Sequence, residues 1–235
     1  MVGIHVDEKL KWDKHINYIA RKMDWALYGL NKVNKQLTSP NKKLLYSGLI
    51  HSHLVFGLPI WGFATQGRLN VLLTKQKKAI RKIFNLKYKE HTLPVFLEAG
   101  ILRLPELVKH TTMCYIHSGL SRHSPLHISN LCRLREMNRE NLRDRGKKLD
   151  YTLSQKQYIN VLPPIAQAKL WNLNEIETGV EPVTFKSNSK FQYMVEYDQQ
   201  IPREPQLYKE YLEKKKQQEK SGEEVAKLKE DCILL

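Results

Sequence analysis

The chain has 235 residues, 41% of them hydrophobic, which is enough for a real core and excludes a chain that is disordered throughout. Its net charge of +15 favours polyanionic partners, and Cys114, Cys132 and Cys232 form too sparse and odd a set for a disulfide framework. No apolar run is long enough for a signal peptide or a membrane-spanning helix, so an intracellular protein, nuclear or cytoplasmic, is expected, without a membrane partner.

In chain order, Val2, Ile4 and Val6 alternate with Gly3, His5 and Asp7, which predicts a short strand. Ile16, Ile19, Ala20, Met23, Leu27, Leu30, Val33 and Leu37 then make an apolar stripe at helical spacing, with Asp13 as the expected N-cap. Ser39-Pro40 is a helix-start signal for a second helix over 40–56 with Leu44, Leu45, Leu49, Ile50 and Leu54 inside, broken by "GLPIWG". A third helix, over 67–86, buries Leu69, Leu72, Leu73, Ile80, Ile83 and Phe84. Further helices are expected at 92–99, stopped by Gly100, and at 104–120. Residues 133–148 read as an exposed helix or linker, 161–176 as a short packed unit and 177–190 as loop-rich. Beyond Pro202 and Pro205 the composition is that of a charged, partly helical or disordered tail.

The positive charge is uneven. Residues 1–95 hold 17 basic and 5 acidic side chains, residues 96–202 hold 14 and 11, and residues 203–235 hold 8 and 8. The excess therefore belongs to the N-terminal part. It peaks along the third helix and its end, where Lys75, Lys77, Lys78, Arg81, Lys82, Lys87 and Lys89 follow one another with no acid between them. Surface helices that only need solubility usually interleave signs at i,i+4, so this run points to a face for phosphates.

Catalytic patterns are weak. Two-metal polymerases and nucleases need converging carboxylates, and the chain has no Asp-Asp pair, so no catalytic residue is assigned. Cys114, His117, His123, His127 and Cys132 approach a zinc pattern, but the first two fall in an apolar helix. No metal site and no cofactor are expected. No Gly-rich phosphate loop or Gly-x-Ser-x-Gly elbow occurs. The C-terminal Cys232-Ile-Leu-Leu fits a prenylation box, with acids where basic neighbours are usual, and leaves Cys232 as a possible lipidation site.

Three blocks, "VGIHVDEKLKWDKHINYIARKM", "LLYSGLIHSHLVFGLPIWG" and "LLTKQKKAIRKIFNLKYKEHTLPVFLEAGILRLPELVKHTTMCYIHSGL", resemble in order and spacing the region after the palm in reverse transcriptases of jockey-like non-LTR retrotransposons. The resemblance covers about residues 2–120 and continues weakly into "LPPIAQAKLWNLNEI". It implies a mainly α fold, a helical bundle like a reverse-transcriptase thumb, after a short strand left from a palm. It further implies residues 1–12 as a remnant palm strand and turn, 13–125 as a thumb-like domain and 126–202 as its partly ordered extension, while the tail, 203–235, is set off by composition alone. It makes Lys75, Lys77, Lys78, Arg81 and Lys82 phosphate-contacting candidates for a primer-template duplex or RNA/DNA hybrid, held without sequence preference. The Tyr-x-Asp-Asp signature of the family's palm is absent from this sequence, so polymerisation by this chain alone is not expected. A decayed element fragment without selected activity and a prenylated, membrane-associated interaction protein stay open as other readings.

Overall fold

A computed structural model describes residues 3–33, 38–87, 90–121, 148–149, 163–174 and 181–200. Among the described residues the regular elements are helices. They are α1 (Asp13–Val33), α2 (Ser39–Tyr46), a π-turn (Ser47–His51), α3 (Ser52–Val55), α4 (Leu58–Trp61), α5 (Gln66–Ile83), α6 (Leu93–Glu98), α7 (Leu104–Leu120), α8 (Pro163–Asn172) and α9 (Pro182–Gln200). The strand expected at Val2–Asp7 is not formed over Gly3–Asp7. Alternation alone does not make a strand: in place of a partner strand, the His5 N–H donates to Nδ1 of His15 at 3.4 Å.

The chain divides into two compact units. One comprises the described residues of Met1–Phe56, Ala64–Leu107 and Lys190–Leu235. The other comprises those of Gly57–Phe63 and Val108–Ser189.

In the first unit α1 packs on α5, on the π-turn and on α3, and α2 packs on α5. The α1 stripe is buried as expected at Ile16, Ile19, Ala20, Met23, Leu27 and Leu30. Asp13, however, does not cap it. Asp7 performs that task from six residues upstream, accepting the N–H groups of Lys11 at 2.6 Å and Asp13 at 3.1 Å. The loop it gathers puts Leu10 and Trp12 at positive φ, of 49° and 65°, and seats Trp12 in the core.

The second predicted helix also differs in detail. Its buried residues are Lys42, Tyr46, Ile50 and Leu54, while Leu44 is 72% exposed and Leu49 lies outside the core as well. Steps of four overshoot an α-helical turn of about 3.6 residues. The π-turn, in which Ser52 N–H reaches back to Ser47 O, takes up the excess and keeps the four on one side. The α6 stop matches the sequence signal: Gly100 at φ 64° carries a Schellman motif, with Gly100 N–H on Leu97 O and Ile101 N–H on Phe96 O.

The second unit has its own core of Met113, Ile116, Leu149, Ala168, Trp171 and Phe185. Asn172 acts as a backbone mimic for Leu149, taking its N–H at 2.8 Å and giving a hydrogen to its carbonyl at 2.9 Å. "GLPIWG" does more than break a helix: Gly57 at φ 65° opens the one-turn α4, and a Cβ on Gly62 would lie 2.6 Å from Leu58 O and 2.9 Å from Val108. The segment read as loop-rich, 177–190, is helical from Pro182 onward. Ser, Asn and Thr are poor helix formers, so intrinsic preference does not make this helix. Packing does: Phe185 stacks flat on His117, centroids 4.0 Å apart, and Ser189 meets His110 at 3.3 Å.

Candidate nucleic-acid interface

Amphipathicity sets α5. Its buried face is Leu69, Leu72, Gln76, Ala79, Ile80 and Ile83, and Leu73 and Phe84 are half-buried at its margins. Gln76 is the member that periodicity does not announce. Its amide donates to Tyr46 OH and Leu102 O and accepts the Leu104 N–H, each at 2.9 Å, so a fully buried polar group is satisfied by three partners from two other segments. Burial keeps the Tyr46 phenol neutral far into the alkaline range, a shift that the Gln76 hydrogen bond only partly opposes.

With this face fixed, counting about 3.6 residues per turn puts Lys78 and Arg81 nearest the middle of the outward surface. Lys77 falls on one flank and Lys75 and Lys82 on the other. The bases are not equivalent. Lys75 forms an ion pair with Asp24 of α1, and further back along the seam Arg68 pairs with Asp13 and donates to Lys11 O at 3.1 Å. These two pairs show that α1 and α5 run in the same direction. Arg81 is half-buried and reaches Glu90 O at 3.4 Å, and so helps to hold the loop beyond the helix. Lys82 is half-buried too, and Lys77 is half-buried while Lys78 and Lys87 are exposed.

Beyond its last turn α5 leads into a tightly held loop. Asn85 adopts φ 55° and Leu86 N–H bonds Arg81 O at 2.9 Å, a Schellman-type stop that ends the helix at Ile83 rather than at residue 86. Further on, the Glu90 carboxylate accepts the Lys87 N–H at 3.0 Å. Lys89 lies outside the described residues, as does Cys232.

Two rings on α1, missed by the stripe because they lie off it, add to the picture. Trp25 is 75% and Tyr28 57% exposed. The readable signal is two aromatics three apart between Arg21-Lys22 and Lys32.

The zinc-like pattern is not gathered at its readable end. His110 stands 3.9 Å from the Cys114 sulfur, while the His117 ring lies on Phe185. Burial raises the Cys114 thiol to about 11, an effect the Lys186 charge only softens. His123, His127 and Cys132 lie outside the described residues. No helix among the described residues is long and apolar enough to cross a membrane.

No protein-family model and no solved structure matches this chain. Over 122 residues it is 24% identical to the RNA-directed DNA polymerase from mobile element jockey of Drosophila melanogaster. That match takes in 49% of this chain and 13% of the fly protein. The chain is thus a mainly helical, distant relative of part of a retrotransposon RNA-directed DNA polymerase.

Proposed function

We propose that this chain is a thumb-like grip of a retrotransposon RNA-directed DNA polymerase, which holds a primer-template duplex or RNA/DNA hybrid by its phosphates. The observation that carries the reading is α5 itself. One side is locked to the core by apolar groups and Gln76, and the other presents Lys77 and Lys78, with Lys87 just beyond the helix end. Arg81 and Lys82 supply further charge from half-buried positions, and Lys75 adds its share through the seam with α1. Such a surface reads charge and not sequence, because phosphates carry no base information. On this reading the chain does not extend a primer alone, since no Tyr-x-Asp-Asp is present to clamp the metal ions of nucleotide transfer.

Titration of labelled duplexes of unrelated sequence at several salt concentrations tests it. Replacing Lys77, Lys78 and Lys87 together by Gln should weaken all duplexes alike. It should also flatten log affinity against log salt by roughly 2 to 3 units, about 0.9 for each phosphate that is no longer neutralised. An unchanged slope in a folded variant would remove α5 from the interface.

A further inference from the structure

The outer face of α1 is unlike that of α5. Along it stand Lys14, Arg21, Lys22, Trp25, Tyr28 and Lys32, all exposed. Arg21 precedes Trp25 by four residues and Lys32 follows Tyr28 by four, so rings and charges share one side of the helix. The ammonium of Lys32 lies 4.7 Å from the Tyr28 ring centroid, and that of Lys22 lies 5.5 Å from the Tyr18 ring. Asp24, the one acid in this stretch, is engaged with Lys75. The chain buries its other tryptophans, Trp12, Trp61 and Trp171, and leaves only Trp25 in solvent.

We propose that this face holds an unpaired nucleic-acid strand, with Trp25 and Tyr28 stacking on its bases and Arg21, Lys22 and Lys32 on its phosphates. The inference rests on the reading of the chain as a nucleic-acid binder but concerns a second surface and a different form of the ligand. A duplex keeps its base faces inside its own stack and has nothing to offer two exposed rings. A single strand offers π-faces and phosphates at the spacing of neighbouring nucleotides, and sequence-tolerant stacking beside cations is how such strands are held. A membrane surface is the other polyanion that takes Trp, Tyr and Lys. Docking there requires an aliphatic face to enter the lipid, and the aliphatic stripe of α1 is already spent on the core.

The full chain is titrated with labelled thymidine and uridine oligonucleotides of about twenty nucleotides, an abasic strand of equal length, and a blunt duplex. Both base-bearing strands should quench tryptophan emission and bind roughly tenfold or more tightly than the abasic strand. Trp25→Ala, a surface change that leaves the fold intact by circular dichroism, should erase that preference and leave duplex binding and its salt slope unchanged. Quenching by only the thymidine or only the uridine strand would still support the site and assign it to DNA or RNA. Equal affinity for base-bearing and abasic strands would overturn the proposal. So would quenching by anionic phosphatidylserine vesicles that neither oligonucleotide reverses. Loss of duplex binding in the α5 triple variant with Trp25-dependent strand binding retained separates the two surfaces. If the triple variant keeps its duplex affinity while strand binding still requires Trp25, the thumb-grip reading alone fails.

Discussion

Helices α5 and α7 are of similar length and both begin from apolar stripes, yet they are used differently. No residue of α7 is exposed, and its polar groups Glu106, His110, Thr112 and His117 are buried with the rest. Helix α5 buries one polar side chain, Gln76, and keeps an exposed strip from Gln66 to Lys78. The difference shows where chemistry can reside. On α7 a histidine or a thiol serves packing: Arg103 pairs with Glu106 at 2.9 Å, Ser189 with His110, and the His117 ring with Phe185. On α5 Lys78 meets solvent outright and Lys77 in part, so these bases can meet a ligand.

The sharpest way to break this comparison is to put a charge into the wrong side of α5. Ile83→Asp should unfold the first unit, because a buried unpaired carboxylate costs several kcal/mol. A variant that stays folded by circular dichroism and loses only nucleic acid would mean that Ile83 faces the ligand. The next largest effect falls on the second unit. Phe185→Ala should cost about 3–5 kcal/mol by chemical denaturation, since a buried aromatic is removed and the cavity persists. Hydrogen exchange should then reach α9 first among the helices of that unit, for its own sequence supports it least. Protection there equal to the parent's would show that intrinsic preference, and not Phe185, holds this helix.

Gln76 sharpens the same contrast from the polar side. Gln76→Leu keeps much of the volume but leaves the Leu104 N–H, the Leu102 carbonyl and the Tyr46 hydroxyl without this partner. A loss of about 2–4 kcal/mol is expected in a urea titration, at roughly 1–3 kcal/mol for each buried group left unsatisfied and with some relaxation. A neutral result would mean that the three segments hold together without the amide.

The positions of α1, α5, α6 and α7 were readable because each is a long or well-punctuated apolar stripe, and Gly100 marks its stop in plain terms. The rest was hidden for separate physical reasons. The π-turn leaves no mark beyond a buried set in steps of four, which an α-helical count assigns to Leu44 and Leu49. Asp7 caps through a loop that is not local in sequence. The α9 helix is imposed by Phe185 and Ser189 across 68 and 79 positions from their partners His117 and His110. At the proposed interface, charge density alone pointed to Lys77, Lys78 and Lys87. It could not separate them from Lys75, whose neutralising partner Asp24 lies 51 residues away.

The smallest expected effect is a pH dependence seated in the first unit. Burial, with a lesser contribution from His5, lowers the His15 imidazole below its ordinary value of 6.5. The His5 N–H needs Nδ1 of His15 as an acceptor, which only the neutral ring provides. His53 is lowered as well, first by burial and then by the Lys22 charge. A depressed histidine is neutral in the folded chain while the unfolded chain already takes up the proton. Stability is therefore full above about pH 6.5 and falls as the pH drops from there toward the folded values. Urea titrations at about pH 7.5 and about pH 5.5 should show the lower midpoint at the acid end. His15→Gln should reduce the difference without removing it, since His53 still contributes. A midpoint that rises on acidification would reverse the sign and mean that these rings are protonated in the folded state, as a histidine paired with a carboxylate would be.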